Sequence, residues 1–189
     1  FLKKQALFAF AGVIILVIGR HFPYKYYRPL AYPLVGLSLA LLAVIQFTDL
    51  GLSAGGSTRW IRLGSFSFQP SEFARIALVI YLAYSMEKKA DRIKDFSIGF
   101  VPHVIVLGIF AVLVYGQPDY GSIVILTVIT WIMLFVGGVP VKHLIAAAIP
   151  VAPIGLFFML RAGYRVMRVM SFLDPWQYQS EAGYQVIHS

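Results

Sequence analysis

Apolar and polar blocks alternate along the chain, and six long apolar segments stand out, at residues 6–19, 30–47, 72–86, 99–115, 120–139 and 144–160. A helix that crosses a bilayer takes about 20 residues, with a range near 17–25. Segments 6–19 and 72–86 are short by that measure. Lys3, Lys4 and Arg20 flank the first and can snorkel, and the third can begin inside the turn at 69–71. A soluble helical bundle would show a polar face on each helix, whereas residues 104–115 carry no charge on any side. Pro33, Pro102, Pro150 and Pro153 fall inside the segments. They would break soluble helices but are tolerated in membrane bundles, where neighbours satisfy the freed carbonyls. Gly36, Gly108, Gly137, Gly138 and Gly155 allow close helix approach. The pattern predicts an all-α fold, a polytopic transmembrane helical bundle with six spans. It forms one integral membrane domain over residues 1–189, with an outer loop at 161–189.

Composition supports lipid as the solvent. Of 189 residues, 59% are hydrophobic and 13% charged, about half the charge of an average soluble domain at about 25%. One small core could not bury that much apolar surface. Cysteine is absent, which excludes a disulfide framework and a thiolate metal site. The net charge of +8 would suggest nucleic acid in a soluble protein. Here the basic residues fall between apolar runs, so membrane lipids and anionic membrane-borne substrates are the expected partners, and nucleic acid is not. The chain starts at Phe1 and ends in polar residues at Ser189, and the A-x-A-like triplet at 9–11 precedes most of the first apolar run. A fragment of a longer membrane protein is expected.

Six spans leave loops on two sides. One side holds Arg20, Lys25, Arg28, Lys88, Lys89, Arg92, Lys94 and Lys142, with Glu87, Asp91 and Asp95 among them. The other holds Lys3, Lys4, Arg59, Arg62, Arg161, Arg165 and Arg168. Basic residues are so evenly divided that the positive-inside rule barely decides the orientation. The kind of base is more telling. Arginine, which gives bidentate contacts to phosphate or carboxylate, predominates on the second side. That side is read as outer and working, the first as cytoplasmic.

Three polar stretches can carry chemistry. In GSTRWIRLGSFSFQPSEFAR, residues 56–75, Arg59 and Arg62 flank Trp60, an interfacial aromatic, in a glycine-tightened loop. Gln69-Pro70-Ser71-Glu72 reads as a helix start with Ser71 as N-cap and Glu72 in the first turn. Glu72 and Arg75 lie three residues apart on one helix face, either as a structural ion pair or as direct substrate contacts. In GQPDYGS, residues 116–122, a plain turn explains Pro118, Asp119 and Gly121, but the turn lies on the same side as the first stretch, so Asp119 can meet Arg59 or Arg62. In the tail at 161–189, Arg161, Arg165 and Arg168 recur at spacings of four and three as a basic stripe. That stripe is either an interfacial anchor on anionic lipid or a grip on a lipid diphosphate. Asp174 and Glu181 are the tail's carboxylates and the candidates for a general base. His21, His103, His143 and His188 have no ligand spacing, and His103 reads as a satisfied bundle residue. No Walker loop or dinucleotide fingerprint is present.

Taken together and in this order, GSTRWIRLGSFSFQPSEFAR, QPDYGS and FLDPWQYQSEAGYQVIHS resemble the SEDS family (shape, elongation, division and sporulation, with FtsW, RodA and SpoVE) over essentially the whole chain. The wording of the third stretch is closer to the family's division branch. The resemblance implies ten spans in the complete protein, of which this chain lacks the first and the last three, and residence in the bacterial inner membrane. It implies a peptidoglycan glycosyltransferase that polymerises lipid II, the undecaprenyl diphosphate-linked disaccharide peptide, at the outer face. The implied partner is a class B penicillin-binding protein. Arg59, Trp60, Gln69, Pro70, Ser71 and Glu72 match the first family motif, with Arg75 where many members have lysine, and Gln117, Pro118, Asp119 and Gly121 match the second. The resemblance makes Arg59, Arg62, Gln69, Ser71, Glu72, Arg75 and Asp119 the candidate substrate-binding residues.

The third stretch departs from the family. The essential aspartate expected three residues after the loop proline falls, counting from Pro175, on Tyr178. Asp174 or Glu181 is then the substitute catalytic carboxylate. In the implied chemistry a sugar 4-hydroxyl attacks the anomeric carbon of a donor whose leaving group is lipid diphosphate. A carboxylate takes the proton, and arginines or a divalent cation stabilise the diphosphate charge. Two rivals belong to other classes. A flippase for lipid-linked precursors needs a polar path through the spans, where only Ser38, His103, Thr127 and Thr130 are polar. A non-catalytic scaffold for the transpeptidase is supported by Tyr178.

Overall fold

Each of the six apolar segments is a helix in the computed structural model. The structure describes residues 2–48, 51–54, 57–63 and 66–161, with the backbone alone at 2–4, 51–54, 57–59, 62, 63, 66, 158 and 159. The helices are α1 (Leu2–His21), α2 (Ala31–Phe47), α3 (Pro70–Lys88), α4 (Val101–Tyr115), α5 (Tyr120–Val136) and α6 (Val141–Leu160). A turn of π-helix, Phe96–Phe100, leads into α4. Together they form a stretch, Phe96–Tyr115, long and apolar enough to cross a membrane, at a mean hydropathy of 2.4. Gln5–His21, Ala31–Phe47, Tyr120–Val136 and Val141–Phe157 are shorter apolar helices.

An all-α description needs one correction. Residues 48–71, expected as an interfacial loop, contain three antiparallel strands in the order β1 (Gly51–Ala54), β2 (Ser57–Leu63) and β3 (Phe66–Phe68). Leu52 pairs with Trp60, a bulge follows at Leu52/Ser53, and Ile61 pairs with Phe68. The run STRWIRL is rich in β-branched and aromatic residues, which fit a pleated surface. Strand pairing also gives the backbone between two apolar helices its own hydrogen-bond partners.

The chain divides after Pro140 into two compact units. In the first, α2, α3, α4 and α5 pack around Leu42, Ala74, Leu78, Tyr81, Leu82, Leu107, Phe110, Val114 and Leu126. The outer surfaces of α4 and α5 are apolar, with Val112 72% and Val124 60% exposed, which suits lipid. Within this unit α2, α3, α4 and α5 alternate in direction. The ends of α2 and α4, the starts of α3 and α5, and the sheet therefore share one end of this unit, and Phe68 of β3 packs on Phe73 of α3 with ring centroids 6.3 Å apart. At the opposite end Arg28 pairs with Glu87. The second unit carries α6, with Pro150 and Pro153 inside it.

Candidate functional site

Two helix starts build the site. At α3, Gln69 is the N-cap with φ −108° and ψ 110°, and Pro70 opens the helix. Proline is pre-set for that position by its fixed φ and absent N–H. The helix thus begins two residues earlier than the sequence suggested. Ser71 lies inside the first turn instead of capping it, and at 1% exposure its hydroxyl faces the bundle interior. At α5, Asp119 is the N-cap, its Oδ1 accepting from the Ser122 N–H at 3.4 Å. That bond satisfies one of the donors a helix start leaves open.

Asp119 then joins the two starts. Its Oδ2 accepts from Gln69 Nε2 at 3.0 Å, Ser71 Oγ at 3.1 Å and Ser122 Oγ at 2.7 Å. The carboxylate is 6% exposed, a depth at which an acidic group needs donors around it. Beside it, Arg75 Nη1 donates to Glu72 Oε2 at 2.8 Å and Nη2 donates to Ser122 Oγ at 3.1 Å. Glu72 and Arg75 are therefore an ion pair, with Glu72 half exposed and Arg75 mostly covered. Two families of charge, a buried carboxylate and a partly covered guanidinium, meet through one serine hydroxyl.

The structure brings together Gln69, Ser71, Glu72, Arg75 and Asp119 of the predicted residues. Arg59 and Arg62 lie on β2, Arg62 opposite Ser67 of β3, at the same end of the unit. Their side chains, and so the pairing of Asp119 with either of them, lie outside the described residues, as do Asp174, Tyr178, Glu181, Arg165 and Arg168. In the second unit, Arg161 stacks its guanidinium over Phe157 at 4.7 Å from the ring centroid.

Two residues outside the candidate substrate-binding set contribute as well, Ser122 and the motif residue Gln117. Ser122 is the bridge just described, and the signal for it was its place three residues after an N-cap aspartate. Gln117, 2% exposed, donates through Nε2 to the Leu42 carbonyl at 3.0 Å and ties the end of α4 to α2, while its Oε1 is buried with no partner among the described residues.

Polar groups deeper in the bundle are locally satisfied. Ser38, Thr127 and Thr130 donate to carbonyls of their own helix at 2.8–2.9 Å. His103 Nδ1 donates to the Gly99 carbonyl at 2.7 Å, and Nε2 accepts from Ser85 Oγ at 3.1 Å. Both ring nitrogens are thereby used. Among the described residues no three His, Cys, Asp or Glu side chains gather to hold a metal ion.

Comparison with known proteins places this geometry in context. A family model for FtsW, RodA and SpoVE, described as cell cycle protein, matches residues 1–189. The chain is 37% identical over 189 residues to a "Probable peptidoglycan glycosyltransferase FtsW" of Geobacter sp. (strain M18), covering all of this chain and 52% of that protein. It is 38% identical to a protein of the same name from Trichlorobacter lovleyi, covering 50% of it. The chain therefore spans about half the length of these relatives. Among solved structures, one described as "Structural coordination of polymerization and crosslinking by a peptidoglycan synthase complex" is similar at a TM-score of 0.74 and 26% identity, over 98% of this chain and 55% of that one. The rod shape determining protein RodA of Thermus thermophilus is similar at a TM-score of 0.63 and 25% identity, over 81% and 50%.

Proposed function

The chain belongs to the FtsW, RodA and SpoVE family of cell cycle proteins, and from that premise we propose that it is part of a peptidoglycan glycosyltransferase. The enzyme polymerises lipid II at the outer face of the bacterial inner membrane during cell division or growth, together with a class B penicillin-binding protein. The observation that carries this reading is the Asp119 junction, where residues of the first two motifs form one buried polar cluster beside the arginine-bearing strand β2. Arg59, Arg62 and Arg75 hold the diphosphate of the donor. Gln69, Ser71, Glu72 and Asp119 fix the cradle. The acceptor 4-hydroxyl oxygen forms a bond to the anomeric carbon as that carbon's bond to the diphosphate oxygen breaks. Asp174 or Glu181 takes the hydroxyl proton, and undecaprenyl diphosphate leaves with the bonding pair. A divalent cation is a further candidate for sharing the diphosphate charge.

The local satisfaction of Ser38, His103, Thr127 and Thr130 favours polymerisation over a flippase, which needs polar groups open along a path. The test is polymerisation of purified lipid II by the full-length protein with its partner. Arg59→Ala abolishes polymer, and unchanged polymer length and rate in that variant would defeat the clamp. Tyr178, at the position of the expected aspartate, favours a second reading as a scaffold for the transpeptidase. Single substitutions of Asp174 and Glu181 separate the two readings, because a scaffold is indifferent to both.

A further inference from the structure

We infer that Ser122 is a positioning residue for Arg75, and that it works because Asp119 dictates the direction of its hydroxyl proton. Ser122 Oγ has three polar neighbours, Asp119 Oδ2 at 2.7 Å, Arg75 Nη2 at 3.1 Å and Ser71 Oγ at 3.3 Å. It carries one proton and two lone pairs. Arginine only donates and an ionised carboxylate only accepts. The proton therefore goes to Asp119, the shortest and charge-assisted contact. A lone pair is left facing Arg75. Ser71 does not compete for that lone pair, since its own proton is donated to the same Oδ2, and as an acceptor of the Ser122 proton it is the longer and uncharged choice at 3.3 Å.

Arg75 is then held at two points, Nη1 by Glu72 and Nη2 by Ser122. Its Nε is buried and has no partner among the described residues. Among the described residues two of its five N–H groups are engaged and one is enclosed, which leaves one N–H on each terminal nitrogen for an anionic oxygen. A guanidinium pinned this way presents those two donors in a fixed plane, which is what recognition of a diphosphate oxygen requires. Ser122 itself is 2% exposed and does not reach substrate. Its effect passes through Arg75. The inference rests on the glycosyltransferase reading and adds to it a residue that no motif assignment had singled out.

The test is a grid of full-length variants with the class B partner, assayed for the rate of lipid II polymerisation and for thermal midpoint. Ser122→Ala and Ser122→Thr are each made with Arg75 present and with Arg75→Gln. With Arg75 present, Ser122→Ala lowers kcat/KM about tenfold, the loss of one charged hydrogen bond at about 1.4 kcal/mol per factor of ten. Ser122→Thr, which restores the hydroxyl, recovers the rate to within about twofold of wild type. In the Arg75→Gln background, Ser122→Ala changes the rate by less than about twofold, because the residue it orients is gone. A Ser122→Ala protein as fast as wild type overturns the inference. So does a Thr variant that melts like wild type yet is as slow as Ala, or an equal loss in both backgrounds. A wild type that binds lipid II but never polymerises it sinks the enzyme reading instead. The same grid, read as lipid II binding affinity, then decides the role of Ser122 by the same three criteria.

Discussion

Ser71 Oγ donates to Asp119 Oδ2 at 3.1 Å in a buried contact between residues 48 positions apart. Neither residue needs the other to start its helix. Pro70 and Gln69 begin α3, and Asp119 caps α5 through Oδ1. The contact is therefore surplus to helix formation. It serves to dock two helix starts at the end of the bundle where the sheet lies.

Removing the carboxylate tests that docking. Asp119→Ala leaves the Gln69 amide and the Ser71 and Ser122 hydroxyls without their acceptor, and an unsatisfied buried group costs about 1–3 kcal/mol. Some of these donors find water or each other, so a total loss of about 2–4 kcal/mol is expected. Asp119→Asn keeps one acceptor oxygen and loses less. Denaturant titration of the purified full-length protein checks the order, wild type above Asn above Ala. An Ala variant as stable as wild type would show that the cluster contributes nothing to docking.

A second prediction concerns two glycines of the same span. Gly99 sits in the π-helical turn, where an added Cβ would collide with the backbone carbonyl of Ile93. That carbonyl cannot swing aside, so Gly99→Ala destabilises by about 1–3 kcal/mol. Gly108 has nothing within 4 Å of its would-be Cβ among the described residues. Gly108→Ala gains helix propensity, up to about 1 kcal/mol. Thermal melting of the two variants should move in opposite directions, and equal losses would refute the distinction.

The helices were legible because apolar length is a strong signal. Segments 30–47 and 120–139 appear as Ala31–Phe47 and Tyr120–Val136, with no boundary moving by more than three residues. The sheet was not. Gly55, Gly56 and Gly64 drew attention to loop character, while the strand signal in Ser57–Leu63 is a seven-residue run with a charge at Arg59 and Arg62. Short strands whose pairing is set by tertiary context leave a weak pattern. Within the site, residue types and their sidedness were readable, but the partners were not. Ser71 looked like a cap because Ser before an acidic residue usually is one, and Pro70 overrode that preference by taking the first helical position. The link from Asp119 to Gln69 and Ser71 depends on how α3 packs against α5, which no local spacing encodes.

Packing in the core gives a third prediction. Phe110 is fully enclosed among the α2–α5 residues, while Val112, two residues on, faces outward. In lipid the outward side is as apolar as the core, so the difference comes from lost packing rather than from transfer out of water. Phe110→Ala leaves a cavity and costs about 3 kcal/mol, the low end of such truncations in water. Val112→Ala costs less than about 0.5 kcal/mol. Denaturant titration of both variants checks the gap, and similar losses would mean that this face of α4 is covered by protein in the complete molecule.

The end of α4 offers a test of a single contact pair. A Cβ on Gly116 would strike the side-chain amide of Gln46 on α2. The two helices approach this closely where Gln117 reaches the Leu42 carbonyl, and the absence of a side chain at 116 is what permits that reach. Gln46 is exposed, and its amide is the far end of a flexible chain, so it can turn away at modest cost. Gly116→Ala is therefore expected to lose about 1 kcal/mol. Gln46→Ala alone is close to neutral, since an exposed side chain is removed. Combined with Gly116→Ala it should restore most of the loss, because the obstacle is gone while the Gln117 tie remains. The measurement is a double-mutant cycle on unfolding free energy, in which contacting residues show a coupling of about 0.5–3 kcal/mol. Strict additivity of the two substitutions would mean that a different neighbour sets the spacing between α2 and α4.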